Sequence, residues 1–255
     1  MIDVKEPPPD TLVRAIQSGR LTTVRRLLRH HPDMARARFA TPDPHGAART
    51  LLHMATCPPG HYPRCAETIA ALAAAGADVN ARCSGSFPET PLHWAASCND
   101  VEALEALLES GADIEAPGAV VDGGSPLSDA VGFGQWQAAR DLIDHGARVT
   151  LREAAALGLR QRIRDCFADG RMPRQRELND GFWHACHGGQ LVAAHYLHGQ
   201  GADINWRPDW EDLTPLDAAR HSNAASLVAW LQDLGALSSA DHLPDRERGR
   251  PDQSR

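Results

Sequence analysis

The chain has 255 residues, 42 % of them apolar and 23 % charged, a balance that excludes a wholly disordered polymer and fits one or two globular domains. A formal net charge of −7 argues against a general binder of nucleic acid or of anionic membrane. Six cysteines are too few for a disulfide scaffold, the alanine-rich stretch 69–77 is too short to span a bilayer, and the start MIDVKEPPPD shows no secretory pattern, so a cytoplasmic location is expected.

In chain order, residues 1–9 read as an N-terminal tail, and a first helical unit begins near Asp10, with Ala15 inside and Arg25, Arg26 and Arg29 outside. A second unit opens at Thr50-Leu51-Leu52-His53, carries an insert at 57–65 that Pro58-Pro59-Gly60 marks as a loop, and closes at Gly76-Ala77-Asp78. The third opens at Thr90-Pro91-Leu92-His93 and closes at Gly111-Ala112-Asp113. The fourth opens at Ser125-Pro126-Leu127 and closes at Gly146. A fifth near Val149 shows mainly Ala154-Ala155. The sixth starts near Asp180 and closes at Gly201-Ala202-Asp203, and the seventh runs from Thr214-Pro215-Leu216 to Gly235. Residues 240–255 are charged and read as a disordered tail.

One unit shows the physics. Thr90 suits a helix N-cap, and Pro91 suits the first helical position. Ala95-Ala96 let neighbouring helices approach; Val101, Leu104, Leu107 and Leu108 then form one apolar face of a second helix, and Gly111 ends it. Such a hairpin cannot bury its apolar face alone, so stacking must supply the partner. These motifs resemble ankyrin repeats. The resemblance implies an all-α solenoid of stacked helix-turn-helix units with short β-hairpin fingers over 10–239, in about seven repeats starting near 10, 50, 90, 125, 149, 180 and 214. Between the fourth and fifth there is no room for a full finger.

Candidate chemistry is sparse. His53, Cys57, His61 and Cys65 stand at equal spacings of four, a donor set that suits zinc. The resemblance, however, gives His53 the task of bracing its hairpin, so 57–65 reads first as an ordinary loop. A metal- or redox-sensing regulator using Cys57, His61 and Cys65 is the alternative. In a second cluster, His184, Cys186, His187, His195 and His198, the first two fall at packing positions, the last two share one helix, and only His187 is expected outside. No nucleophile elbow, phosphate loop or dinucleotide fingerprint occurs, so no catalytic residue, metal or cofactor is expected.

The resemblance implies a non-catalytic module that binds a protein partner along a concave face made by first helices and fingers. A monomer is expected, with neither nucleic acid nor membrane as partner. Aligning the units places Ser97, Phe133, His187 and His221 at the ends of first helices, and Phe87, Glu89, Asp122, Trp206, Arg207, Trp210 and Glu211 in fingers. Trp206 and Trp210 either present their rings to a partner or fold back onto the adjacent helices. Trp94, Trp136 and Trp230 are expected in the core. Export as a host-directed effector is a further alternative without a readable signal.

Overall fold

Each Thr-Pro-Leu or equivalent motif starts a short helix, and each glycine-led turn ends the one that follows. A computed structural model describes residues 9–40, 48–84, 87–170 and 172–242. Among these, fourteen α-helices follow in seven pairs. They are α1 (Pro9–Gln17) and α2 (Leu21–His30), α3 (Leu51–Thr56) and α4 (Cys65–Ala74), α5 (Pro91–Ser97) and α6 (Val101–Glu109), and α7 (Pro126–Gly132) and α8 (Trp136–Asp144). Then come α9 (Leu151–Ala156) and α10 (Arg160–Asp165), α11 (Gln175–His187) and α12 (Leu191–Gly199), and α13 (Pro215–His221) and α14 (Ala225–Asp233). The fold is all-α. Its one pair of strands among the described residues, β1 (Phe39–Ala40) and β2 (Ala48–Arg49), is antiparallel, with Phe39 opposite Arg49. The next two fingers are closed by backbone bonds, Cys83 N to Glu89 O and Ala119 N to Gly124 O.

The chain forms two compact units, Met1–Arg148 and Val149–Arg255. In the first, α1, α3, α5 and α7 pack in series as an inner layer, and α2, α4, α6 and α8 pack in series as an outer one. Leu12, Ile16, Leu52, Ile69, Leu92, Leu104, Leu127 and Leu142 are wholly buried between them. Each such side chain contributes about 1.5–3 kcal/mol of transfer free energy. In the second unit, α11 packs against α9, α12 and α13, around Phe182, Trp183, Leu197, Leu216 and Leu231.

Two kinds of joint tie repeat to repeat, and both end on main chain. Thr50 N and Oγ1 lie 3.3 and 2.9 Å from His53 Nδ1, so Nδ1 accepts and the proton sits on Nε2. From there it donates to Glu89 O at 3.1 Å, the residue before the next N-cap. His93 does the same with Thr90 and with Gly124 O. In the second unit Trp183 takes this position, its indole Nε1 donating to Leu213 O at 2.8 Å. The second joint explains the Gly-Ala-Asp triplet. Asp78 Oδ1 accepts from Asn80 N, and Asn80 bridges to Gly111 O and Asp113 N. Asp203 and Asn205 repeat the device, with Asn205 Oδ1 accepting from Leu237 N.

Some boundaries differ from the sequence reading. α11 begins at Gln175, before Asp180, because Glu177 Oε2 accepts from Arg174 N and caps the helix there. Asp180 is thereby placed inside the helix and turned to other partners. Pro9 belongs to α1, and Ser239–His242 form a 3-10 turn, where Ser238 Oγ donates to Asp241 and Ser239 N to Asp217. The rest of the expected tails, 1–8 and 243–255, lies outside the described residues.

Candidate partner-binding surfaces

In the first unit Glu89, alone of the expected residues there, is shown in contact with Trp94. The ring is almost buried, as expected, with the Arg49 guanidinium 4.8 Å from its centroid and His53 edge-on at 5.0 Å. Its Nε1 donates to Glu89 Oε2 at 3.1 Å. Glu89 is therefore half-buried and engaged, not a free finger carboxylate. Behind it Asp129 is fully buried, with Oδ1 accepting from Val121 N at 3.2 Å. Burial pushes the Asp129 carboxyl up to about 8, helped by the neighbouring Glu89, and burial raises Glu89 as well.

Among the described residues of the first unit, three large apolar side chains are exposed. Phe87 and Phe133 are 48 % and 49 % exposed, and Val120, not anticipated, is 38 % exposed. Finger and helix tips come together closely here. A Cβ at Gly118 would stand 2.5 Å from Pro88 O, and one at Gly132 would stand 2.4 Å from Val121 Cγ2. At Gly118 only glycine lets the backbones meet so, while at Gly132 it makes room for the Val121 side chain. Asp122 is exposed at φ 58°, and Ser97 is half-buried with Oγ donating to His93 O at 2.9 Å.

In the second unit the tryptophans fold back. Trp210 meets Trp183 edge-on at 5.0 Å and lies 5.7 Å from His184, while Trp206 packs against the buried cluster. Both are half-buried, so the folded-back alternative holds. His187 stacks on Trp183 at 5.3 Å. Arg207 and His221 are exposed, and Glu211 is half-buried, its Oε1 accepting from Asp212 N. Beneath them Arg152 Nε donates to Asp180 Oδ2 at 2.7 Å, and His184 Nδ1 lies 2.9 Å from Asp180 O. Burial opposes ionisation at Asp180, but His184 and Arg152 outweigh it and hold the carboxyl below its ordinary range. The sequence reading missed this cluster; the signal was Trp183, standing where other units place His.

The suspected metal ligands part company. His53 is spent on its hairpin. Cys57 Sγ lies 3.3 Å from Tyr62 Oη, and His61 Nε2 lies 3.1 Å from Cys98 O. Cys65 Sγ donates to Ala55 O, and burial pushes that thiol up to about 12. Among the described residues no three His, Cys, Asp or Glu side chains converge on a point that could hold a metal. Cys57, His61 and Cys65 are each turned to a separate partner. In the other cluster His195 stacks on Trp230 at 4.1 Å, while Cys186 is buried. Trp136 and Trp230 are half-buried rather than enclosed.

Paired helices, Thr-His caps and Asx-turn joints are thus all in place. Residues 52–153 match the family model of ankyrin repeats in three copies. The chain contains ankyrin repeats. The matched stretch runs from α3 into α9; the ankyrin-like pairs outside it are recognised by the same joints. A comparison with curated proteins found no match. Ankyrin repeats are generally modules of protein–protein interaction, typically non-catalytic. No helix among the described residues is long and apolar enough to cross a membrane.

Proposed function

We propose that this ankyrin repeat protein is a non-catalytic, cytoplasmic adaptor that binds a protein partner through its inner-helix tips and fingers. The observation that carries the reading is the exposure of Phe87, Val120 and Phe133 on the first unit, beside a polar group already satisfied within the chain. Exposed aromatic side chains ringed by polar groups are what binding hot spots are made of. Arg207, His187 and His221 supply a more polar surface on the second unit.

The test is affinity capture with the wild type and with Phe87→Ala/Phe133→Ala. Loss of a specifically retained protein from the double variant, at an unchanged melting temperature, supports the reading. Equal retention of the same proteins by both chains overturns it.

A further inference from the structure

Charge is unevenly spread along the first unit. Between Arg82 and Arg140 the chain holds nine of its 33 Asp and Glu and none of its 26 Lys and Arg. This run supplies the finger closed by Cys83 and Glu89, the one closed by Ala119 and Gly124, and helices α5, α6 and α7. Its Glu102, Glu105, Glu109, Asp113, Glu115 and Asp122 are exposed. Of the arginines that adjoin it, Arg49 lies over Trp94 and Arg140 Nη1 donates to Trp136 O at 3.3 Å, while Arg82 is exposed at the foot of the first of these fingers.

Phe87, Val120 and Phe133 issue from stretches of this run that touch. Phe87 precedes Pro88, whose carbonyl oxygen would lie 2.5 Å from a Cβ at Gly118, two residues before Val120. Val121, next to Val120, meets Gly132, next to Phe133, where a Cβ would stand 2.4 Å from Val121 Cγ2. The three apolar side chains thus stand on adjoining tips, 38–49 % exposed, and Asp122 is exposed in the same finger as Val120.

We propose that these tips take a basic protein segment, one in which lysine or arginine alternates with apolar side chains. This rests on the reading of the same tips as the partner surface, and adds the chemistry of the occupant. Apolar side chains of the segment cover Phe87, Val120 and Phe133. Its cations lie against Asp122, in a field that no lysine or arginine of the run offsets. A nucleic acid would bring phosphates to that field and be repelled. A second copy meeting the first tip to tip would set acid on acid, so a basic segment fits the surface better than either.

Fluorescence anisotropy of the full chain with a labelled peptide repeating Lys-Leu-Gly tests it, at about 0.15 M salt, where charges more than about 8 Å apart are largely screened. Peptides repeating Glu-Leu-Gly and Lys-Ser-Gly are each expected to bind at least about tenfold more weakly. Phe87→Ala/Phe133→Ala is expected to weaken the Lys-Leu-Gly peptide at least about tenfold, as loss of aromatic anchors does. Asp122→Asn removes the charge and keeps a residue type that tolerates φ 58°; it is expected to weaken that peptide about threefold. Glu102→Gln/Glu105→Gln/Glu109→Gln, on the outer helix α6, is expected to change it less than about twofold. No binding of the Lys-Leu-Gly peptide, equal affinity for the acidic one, indifference to the phenylalanines, or a larger loss from the α6 variant than from Asp122→Asn would each overturn it. Affinity capture keeps the two readings apart. A protein lost with Phe87→Ala/Phe133→Ala, while the acidic peptide binds as well as the basic one, leaves the partner surface standing and removes its basic occupant.

Discussion

At the scale of single residues, the same place in successive repeats is filled by different chemistry doing one task. His53 and His93 reach the carbonyl before the next N-cap through Nε2, and Trp183 does so through its indole. Trp183→Phe keeps the ring and deletes the donor, and is expected to cost about 1–2 kcal/mol in chemical denaturation. The two histidines are held at about 4 by burial, against about 6.5 when unfolded. Their contribution to stability is thus present above about pH 6.5 and lost as pH falls toward 4. Asp129 has the opposite sign: raised to about 8, it keeps a proton that the unfolded chain has released above about pH 4, so its contribution falls as pH rises toward 8. Asp129→Asn mimics the protonated acid and retains the acceptor for Val121 N. Relative to wild type it is expected to be more stabilising at pH 8 than at pH 5. A difference that stays constant across that range would show that Asp129 does not titrate as described.

At the scale of elements, α10 is the thinnest second helix. It has six residues and one buried side chain, Ile163, where α6 buries Ala103, Leu104, Ala106 and Leu107. Hydrogen exchange around 163–167 is expected to be faster than in α6, with local opening below the global unfolding free energy. Equal protection would mean that contacts other than burial hold α10. The helix pairs were legible in the sequence because glycine turns and Thr-Pro starts recur at a fixed interval. Less legible were the places where a repeat departs from its pattern. The cap at Glu177 starts α11 early, and no spacing argument could weigh it against the motif at Asp180. Of the proposed binding surface, the exposure of Phe87, Phe133 and Arg207 could be read from register. The engagement of Glu89 and the folding back of Trp210 depend on partners from other repeats, Trp94 and Trp183, and so escape any single-unit reading.

At the scale of the molecule, surface and core trade differently in the two units. Phe133 projects from the end of α7, about half exposed, whereas Trp210 closes over Trp183 and His184. Phe133→Ala is expected to leave thermal unfolding within about 0.5 kcal/mol of wild type, and Trp210→Ala to cost about 1–3 kcal/mol. Calorimetry of both variants checks this. If Trp210→Ala melts with the wild type, its ring is free to serve a partner after all.

The joints between repeats carry a consequence for how such a chain can change. His53, His93, Trp183 and Asn80 all grip backbone atoms of the following repeat, which every residue type offers alike. A coupling that is blind to its neighbour's side chains asks for no compensating substitution when that neighbour is altered. An exposed finger residue such as Phe87 can therefore be exchanged by itself, and a new surface reached by single substitutions, without the stack having to be renegotiated.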